Sequence, residues 1–159
     1  MQWLPTARRT LRARLLPLMA LALLGAACSS EPTDDTPAGA LRLFLETMDR
    51  SEWDEAALED AYGLLSEEAR AGLGQRARMA TSLSGRDFEP WQMLPQGRFR
   101  LRFSPRRSGG MVEHVDGDTA VVVVTGSRSG ERADVPMVRE QGGWRVVIDL
   151  APVRTAPVE

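Results

Sequence analysis

MVEHVDGDTAVVVVTGSRSGERADVPMVREQGGWRVVIDL, residues 111–150, is the stretch that decides the fold. Residues 111–115, 119–125, 135–140 and 144–150 read as four strands, because β-branched and apolar residues gather there in short runs bounded by turn chemistry. Asp116-Gly117-Asp118 and Gln141-Gly142-Gly143 supply that chemistry where a pleated chain must reverse. In the last run Trp144, Val146, Ile148 and Leu150 point one way and Arg145, Val147 and Asp149 the other, which predicts a central strand of a curved sheet folded over helices. Along Ala120 to Val124 alternation disappears, so both faces are expected to be covered. Helices supply one cover; a neighbouring subunit or another part of the chain supplies the second.

Upstream, helical spacing takes over. Thr36 suits a cap and Pro37 a first helical position, and Leu41, Phe44, Leu45 and Met48 recur on one side through Arg50. A second helix is expected over 52–65, with Trp53, Ala57, Leu58, Ala61 and Tyr62 as its apolar side. Ser66 opens a third, in which Ala69, Leu73, Ala77 and Ala80 share a face. Gly72 and Gly74 weaken that helix, or permit a close approach to the sheet, or mark a break. Residues 85–97 are irregular, carrying Pro90 and Pro95 with Phe88, Trp91, Met93 and Leu94, and are expected to pack down as a lid or plug. A first strand then alternates Phe99, Leu101 and Phe103 with Arg98, Arg100 and Arg102. Together these predict an α+β domain: N-terminal helices packed on a strongly curved antiparallel sheet of about five strands.

Residues 1–27 have the pattern of a targeting segment. Arg8, Arg9, Arg12 and Arg14 form a basic start, and residues 15–24 an apolar run too short to span a bilayer. Gly25, Ala26 and Ala27 lead to Cys28, the one cysteine among the 159 residues, so no internal disulfide exists. This resembles the lipobox of bacterial lipoproteins, with Leu24 four residues before the Cys where that pattern has an aliphatic residue three before. The resemblance implies lipidation at Cys28, a palmitate-type acyl anchor, and a cell-envelope address. Ser29 behind the Cys is similar to the signal for the periplasmic face of the outer membrane. An ordinary secretory signal and an uncleaved anchor are the other readings of the segment. Residues 28–36 form the lipidated Cys and a polar tether whose last eight residues reach at most about 26 Å.

Charge excludes some partners. All 20 basic residues are Arg, which removes any lysine nucleophile. Once residues 1–27 leave with their four arginines, 16 basic groups face 22 acidic ones, a formal charge of −6. Such a domain does not hold nucleic acid by bulk electrostatics. Membrane attachment is expected through lipid, and a protein partner or homodimer through the Val-rich sheet face.

Three helices followed by an antiparallel sheet, with Ala61-Tyr62-Gly63-Leu64-Leu65-Ser66-Glu67-Glu68-Ala69-Arg70, Gly117-Asp118-Thr119-Ala120-Val121-Val122 and Gly143-Trp144-Arg145-Val146-Val147-Ile148, resemble the nuclear-transport-factor-two-like superfamily. That cone-shaped fold is also called SnoaL-like or cystatin-like, and small domains of this kind occur in bacterial lipoproteins of unassigned function. The resemblance covers roughly residues 37–151 and leaves 152–159 as a tail. It implies a cavity between the helices and the concave sheet face, used for catalysis in steroid isomerases and polyketide cyclases and for binding alone in many other members.

Chemistry in the cavity of an isomerase needs a carboxylate base and an oxyanion donor in an apolar pocket. Tyr62, Asp134 and Asp149 supply the residue types, without a motif that pairs them. His114 is the one histidine and lies two residues from Asp116, a spacing open to a general base or to an ordinary strand-surface histidine. No set of His and Cys has metal-ligand spacing, and Gly126-Ser127-Arg128-Ser129-Gly130 places Arg where a nucleophile elbow needs Ser. No cofactor is implied. Tyr62, Trp91, His114 and Trp144 are the residues expected to line a cavity or binding surface. Arg98, Arg100, Arg102, Arg106 and Arg107 form the one basic concentration, expected as a solvated strand face that discourages edge pairing, or as a contact for anionic headgroups. The reading that follows is a membrane-anchored, non-catalytic binding domain; a small isomerase- or cyclase-like enzyme is the alternative.

Overall fold

A computed structural model of the chain describes residues 32–94, 101–107 and 109–151. The expected targeting segment, Cys28 and the expected tail at 152–159 lie outside the described residues, as do Arg98, Phe99 and Arg100. The described elements are three helices, α1 (Pro37–Arg50), α2 (Glu55–Gly63) and α3 (Glu67–Ser84), a 3-10 turn (Pro90–Met93), and four strands, β1 (Met111–Asp116), β2 (Thr119–Thr125), β3 (Arg132–Glu140) and β4 (Gly143–Val146).

Local chemistry sets each helix boundary. The Thr36 hydroxyl accepts from the Gly39 amide at 3.0 Å, and Pro37 occupies the first turn, where no intrahelical amide bond is lost. Asp54 accepts from Ala56 and so starts α2 three residues later than the apolar pattern alone implies. Trp53 consequently sits in the turn before α2 and is 75% exposed, rather than on the apolar side of the helix. Ser66 caps α3, and Gly85 ends it in the left-handed conformation at φ 69°. Gly72 allows a close approach: a Cβ there would stand 2.8 Å from Leu150 Cδ1.

The sheet is antiparallel throughout, in the order β1-β2-β3-β4. Gly117 and Asp118 join β1 to β2 as a two-residue turn, with Gly117 at φ 60° and Asp116 paired to Thr119. Gln141 and Gly142, both at positive φ, join β3 to β4. Among the described residues there are four strands rather than about five. Leu101 and Phe103, expected on a first strand, belong to none; they lie half-buried beside α1, where Leu45, Met48, Leu101 and Phe103 line one cavity. The alternating pattern there reports one buried side, which packing against a helix satisfies as well as strand pairing does.

The last strand differs from expectation in length and place. It stops at Val146, and it is an edge strand, not a central one. Its outward backbone groups are nevertheless all bonded. The Trp144 amide donates to the Asp34 carbonyl at 2.8 Å, the Val146 amide to Leu64 at 2.9 Å, and the Val146 carbonyl accepts from Ser66 at 2.9 Å. The Trp144 carbonyl accepts from Arg145 Nη1 at 2.9 Å. The link between α2 and α3 thus covers the β4 edge, with Leu65 bridging Val146 in parallel. Two residues of the expected tether, Asp34 and Thr36, are parts of the fold.

One face of the sheet carries the core. Ala120, Val122 and Val124 of β2, Met137 of β3, and Trp144 and Val146 of β4 are buried with Leu41, Phe44, Leu65, Leu73 and Leu94. Each such aliphatic side chain contributes about 1.5–3 kcal/mol on full burial, so this face supplies the main driving force. On the opposite face β2 is covered unevenly: Val123 is 8% exposed and Val121 39%. Alternation therefore survives in part, and the expectation of two fully covered faces fails at Val121.

Candidate functional site

The opposite face of the sheet carries the largest of the cavities described here, a groove of about 550 Å³. Register builds it. His114 pairs with Val121 and Asp116 with Thr119, while Val121 pairs with Pro136 and Thr119 with Val138, so these side chains share one face. Val147 joins them through its amide, which donates to the Pro136 carbonyl at 3.0 Å. Ser66 and Glu68, at the start of α3, close one side, and His114 and Asp116 the other.

The groove therefore has an apolar floor of Val121, Pro136, Val138 and Val147, with three carboxylates among its lining residues, Glu68, Asp116 and Glu140, and no arginine. One carboxylate is engaged: Glu140 accepts the Glu67 amide at 2.8 Å, at the N-terminus of α3, where the helix dipole favours negative charge. His114 is exposed and shares the face of Asp116, yet no hydrogen bond joins the two side chains.

Of the residues expected to line a cavity, His114 alone lines this groove. Tyr62 packs against the core, its hydroxyl donating to the Arg70 carbonyl at 3.3 Å. Trp91 lies half-buried in the 3-10 turn against the same core, with Met93 and Leu94 fully buried beside it, so the 85–94 segment does pack down. Trp144 is 3% exposed, with the Arg139 guanidinium 5.8 Å from its ring centroid; it is a core residue, not a cavity wall. Helical spacing for Tyr62 and alternation for Trp144 assigned a buried side correctly, but burial in a packed core and burial around a cavity leave the same mark in a sequence.

The space between helices and sheet is largely filled by the core, and what opens there is a smaller cavity of about 300 Å³. It lies where β4 has ended and the first half of β3 has lost its neighbour. Leu41, Phe44, Val135, Val146 and Ile148 line it, with Asp134 and Asp149 at its rim. Asp134 is exposed and paired with Arg132 at 3.1 Å. Tyr62, His114 and Asp149 thus lie in three separate surroundings: the core, the outer groove and this cavity.

The arginine concentration is likewise divided. Arg102, Arg106 and Arg107 are exposed, and none lies on a strand, so the expected strand face does not form at these three. The loop that carries Arg106 is tied down, its amide donating to Thr125 at 2.9 Å. Arg106 and Arg107 share a cavity of about 410 Å³ with Arg42 from α1, and Glu46 and Asp49 line it as well. Two carboxylates against three guanidiniums leave little net charge to select an anion.

No group of three His, Cys, Asp or Glu side chains among the described residues is placed to hold a metal ion. No helix among them is long and apolar enough to cross a membrane. No family model, curated protein or solved structure matches this chain.

Proposed function

We propose that this protein is a lipid-anchored component of the bacterial cell envelope whose domain binds a ligand or a protein without catalysing a reaction. The observation that carries the binding reading is the outer groove, an apolar floor with isolated polar groups at its sides. Binding sites are concave, mostly apolar and furnished with a few orienting polar groups, whereas acid-base chemistry needs donors and acceptors within hydrogen-bond reach of one another. His114 and Asp116 share the groove without such a bond.

The anchoring reading rests on residues 8–28: a basic start, a short apolar run and the single Cys28. Ser29 after that Cys favours the periplasmic face of the outer membrane as the address. The cone-shaped fold of the SnoaL-like superfamily is the architecture assigned to residues 37–151, on the strength of three helices preceding an antiparallel sheet. Because Asp34 is docked on β4, residues 29–33 span the gap to Cys28, six residue steps that reach at most about 22 Å. The domain works close to its bilayer.

Two measurements test these readings. Mass spectrometry of the mature N-terminal peptide should find acylated Cys28 at position one, and C28S should leave the membrane fraction; an unmodified thiol sinks the anchor. Native mass spectrometry of protein from envelope extract should retain a small molecule or a partner, and V121E should release it. A chain that arrives bare, or whose cargo is indifferent to V121E, removes the groove from consideration.

A further inference from the structure

We propose that β1 is an open docking edge that takes up an extended segment rich in alternating basic and branched apolar residues, as a fifth strand of the sheet. This deepens the reading of the domain as a binding module by naming the partner's chemistry, and it rests on that reading.

The backbone carries the argument. Thr125 donates to the Gly110 carbonyl at 2.8 Å, and the register continues from that bonded pair, so the N–H and C=O groups of Val112, His114 and Asp116 turn towards β2. Those of Met111, Glu113 and Val115 therefore turn outward. No hydrogen bond among the described residues engages these three donors and three acceptors. The far edge of the sheet is the contrast, since every outward group of β4 is bonded.

Edges left open are usually blunted by proline, by charged side chains, lysine above all, or by a bulge. The unpaired half of β3 follows that rule. Pro136 turns its missing donor towards the gap, and Arg132 and Asp134 form an ion pair beside it. Of these devices β1 has only the acids Glu113 and Asp116: Met111 to Asp116 contains no proline, lysine or arginine, and its pairing to β2 runs uninterrupted. It is also apolar where it should be wet. Val112 is 51% exposed, Val115 54% and the neighbouring Val121 39%, three of the five large apolar residues exposed in the described structure.

Charge selects the occupant. Glu113 and Asp116 lie on the strand, and Glu68 and Glu140 border the adjoining groove, with no arginine among the groove's lining residues; the Ala38 and Glu67 amides engage Glu113 and Glu140, which leaves Asp116 and Glu68 to meet a cation. A second copy of β1 brings the same acids. In the antiparallel register that uses all three outward residues, Glu113 would stand directly opposite its own copy, a destabilising like-charge pair. An added strand with Arg on the outer face meets Asp116 and the groove, while its branched residues cover Val115 on the other face.

The test uses the full chain in detergent micelles and a capped hexapeptide of alternating Arg and Val. Without peptide, the amides of Met111, Glu113 and Val115 should exchange with solvent quickly, and those of Val112, His114 and Asp116 slowly. With peptide, the first three should become protected by about tenfold or more, since each gains a hydrogen-bond acceptor or a buried place beside one. A Glu/Val hexapeptide should give no protection, and the Arg/Val peptide N-methylated on alternate residues along its docking edge should bind about tenfold weaker or less well still. V115P, which removes an outward donor together with the exposed valine side chain, should lose the protection while keeping its circular dichroism. Absence of protection overturns the proposal, as does equal protection by the Glu peptide. Equal binding of the methylated peptide, with changes confined to Val121 and Val138, overturns strand addition and leaves the groove reading standing. Protection that appears without peptide as protein concentration rises assigns the edge to a second copy, and overturns the choice of partner.

Discussion

Arg145 on the last strand reaches back to Asp34, ahead of the first helix, with Nη1 2.5 Å from Oδ2 across 111 residues of sequence. The same guanidinium nitrogen donates to the Trp144 carbonyl, so one side chain both closes the β4 edge and fastens the segment entering α1. Neither half of this link is visible as a motif, because an Asp in a polar run and an Arg on a strand are each ordinary by themselves.

The Arg145 side chain is 14% exposed and Asp34 39%, so the pair is partly screened and worth less than a buried one. Truncating Arg145 also frees a carbonyl at a sheet edge. R145A should lower stability by about 1–2 kcal/mol in urea titration, and a protease should cut within residues 32–36 faster than in the parent chain. Unchanged cleavage would show that the amide bond from Trp144 to Asp34 holds the segment unaided.

Gly74 is buried on α3, and a Cβ added there would meet Arg78 Nη1 at 3.6 Å, an ordinary contact. G74A should therefore stabilise by about 0.5–1 kcal/mol through helix propensity alone. At Gly72 the added Cβ lies 2.8 Å from Leu150 Cδ1, so the same change must first displace that methyl. The melting temperature of G74A should exceed that of G72A.

Leu65 is fully buried and bridges Val146, joining the helical layer to the sheet at the covered edge. L65A removes packing from both at once. A loss of about 2–5 kcal/mol is expected in chemical denaturation, at the upper end if the edge hydrogen bonds loosen with it.

Two residues near helix starts should behave oppositely to their size. Thr36 is small and exposed, yet its hydroxyl caps α1, so T36A should cost about 1 kcal/mol. Trp53 is large but 75% exposed before α2, and W53S should stay within about 0.5 kcal/mol of the parent. A large effect at Trp53 would mean that it is covered in solution by something bound to it.

Much of the helical layer was legible because its signals are local. Thr36 with Pro37, Ser66 and the spacing of Ala69, Leu73 and Ala77 depend on neighbours within a turn or two. The same holds for the β1-β2 and β3-β4 turns, where Gly117 and Gly142 take positive φ beside residues already adjacent in the chain. Misreadings arose where two environments leave one pattern. Leu101 and Phe103 alternate like a strand but pack on a helix, and Trp144, predicted beside a cavity, is inside the core.

Of the candidate site, the sequence alone determined that His114 lies two residues from Asp116 beside a turn, that a lone Cys28 follows a basic stretch and an apolar run, and that four valines crowd one strand. These follow from period-two geometry, composition and near-neighbour chemistry. Tertiary structure decided the rest: that the groove lies on the sheet face opposite the core, that the link between α2 and α3 closes β4, and that no described residue pairs with the outward edge of β1. Which edge of a sheet is covered depends on residues such as Leu64 and Ser66, some eighty positions from the strand they satisfy. Backbone hydrogen bonding is the same for every residue type, so no side-chain pattern announces it.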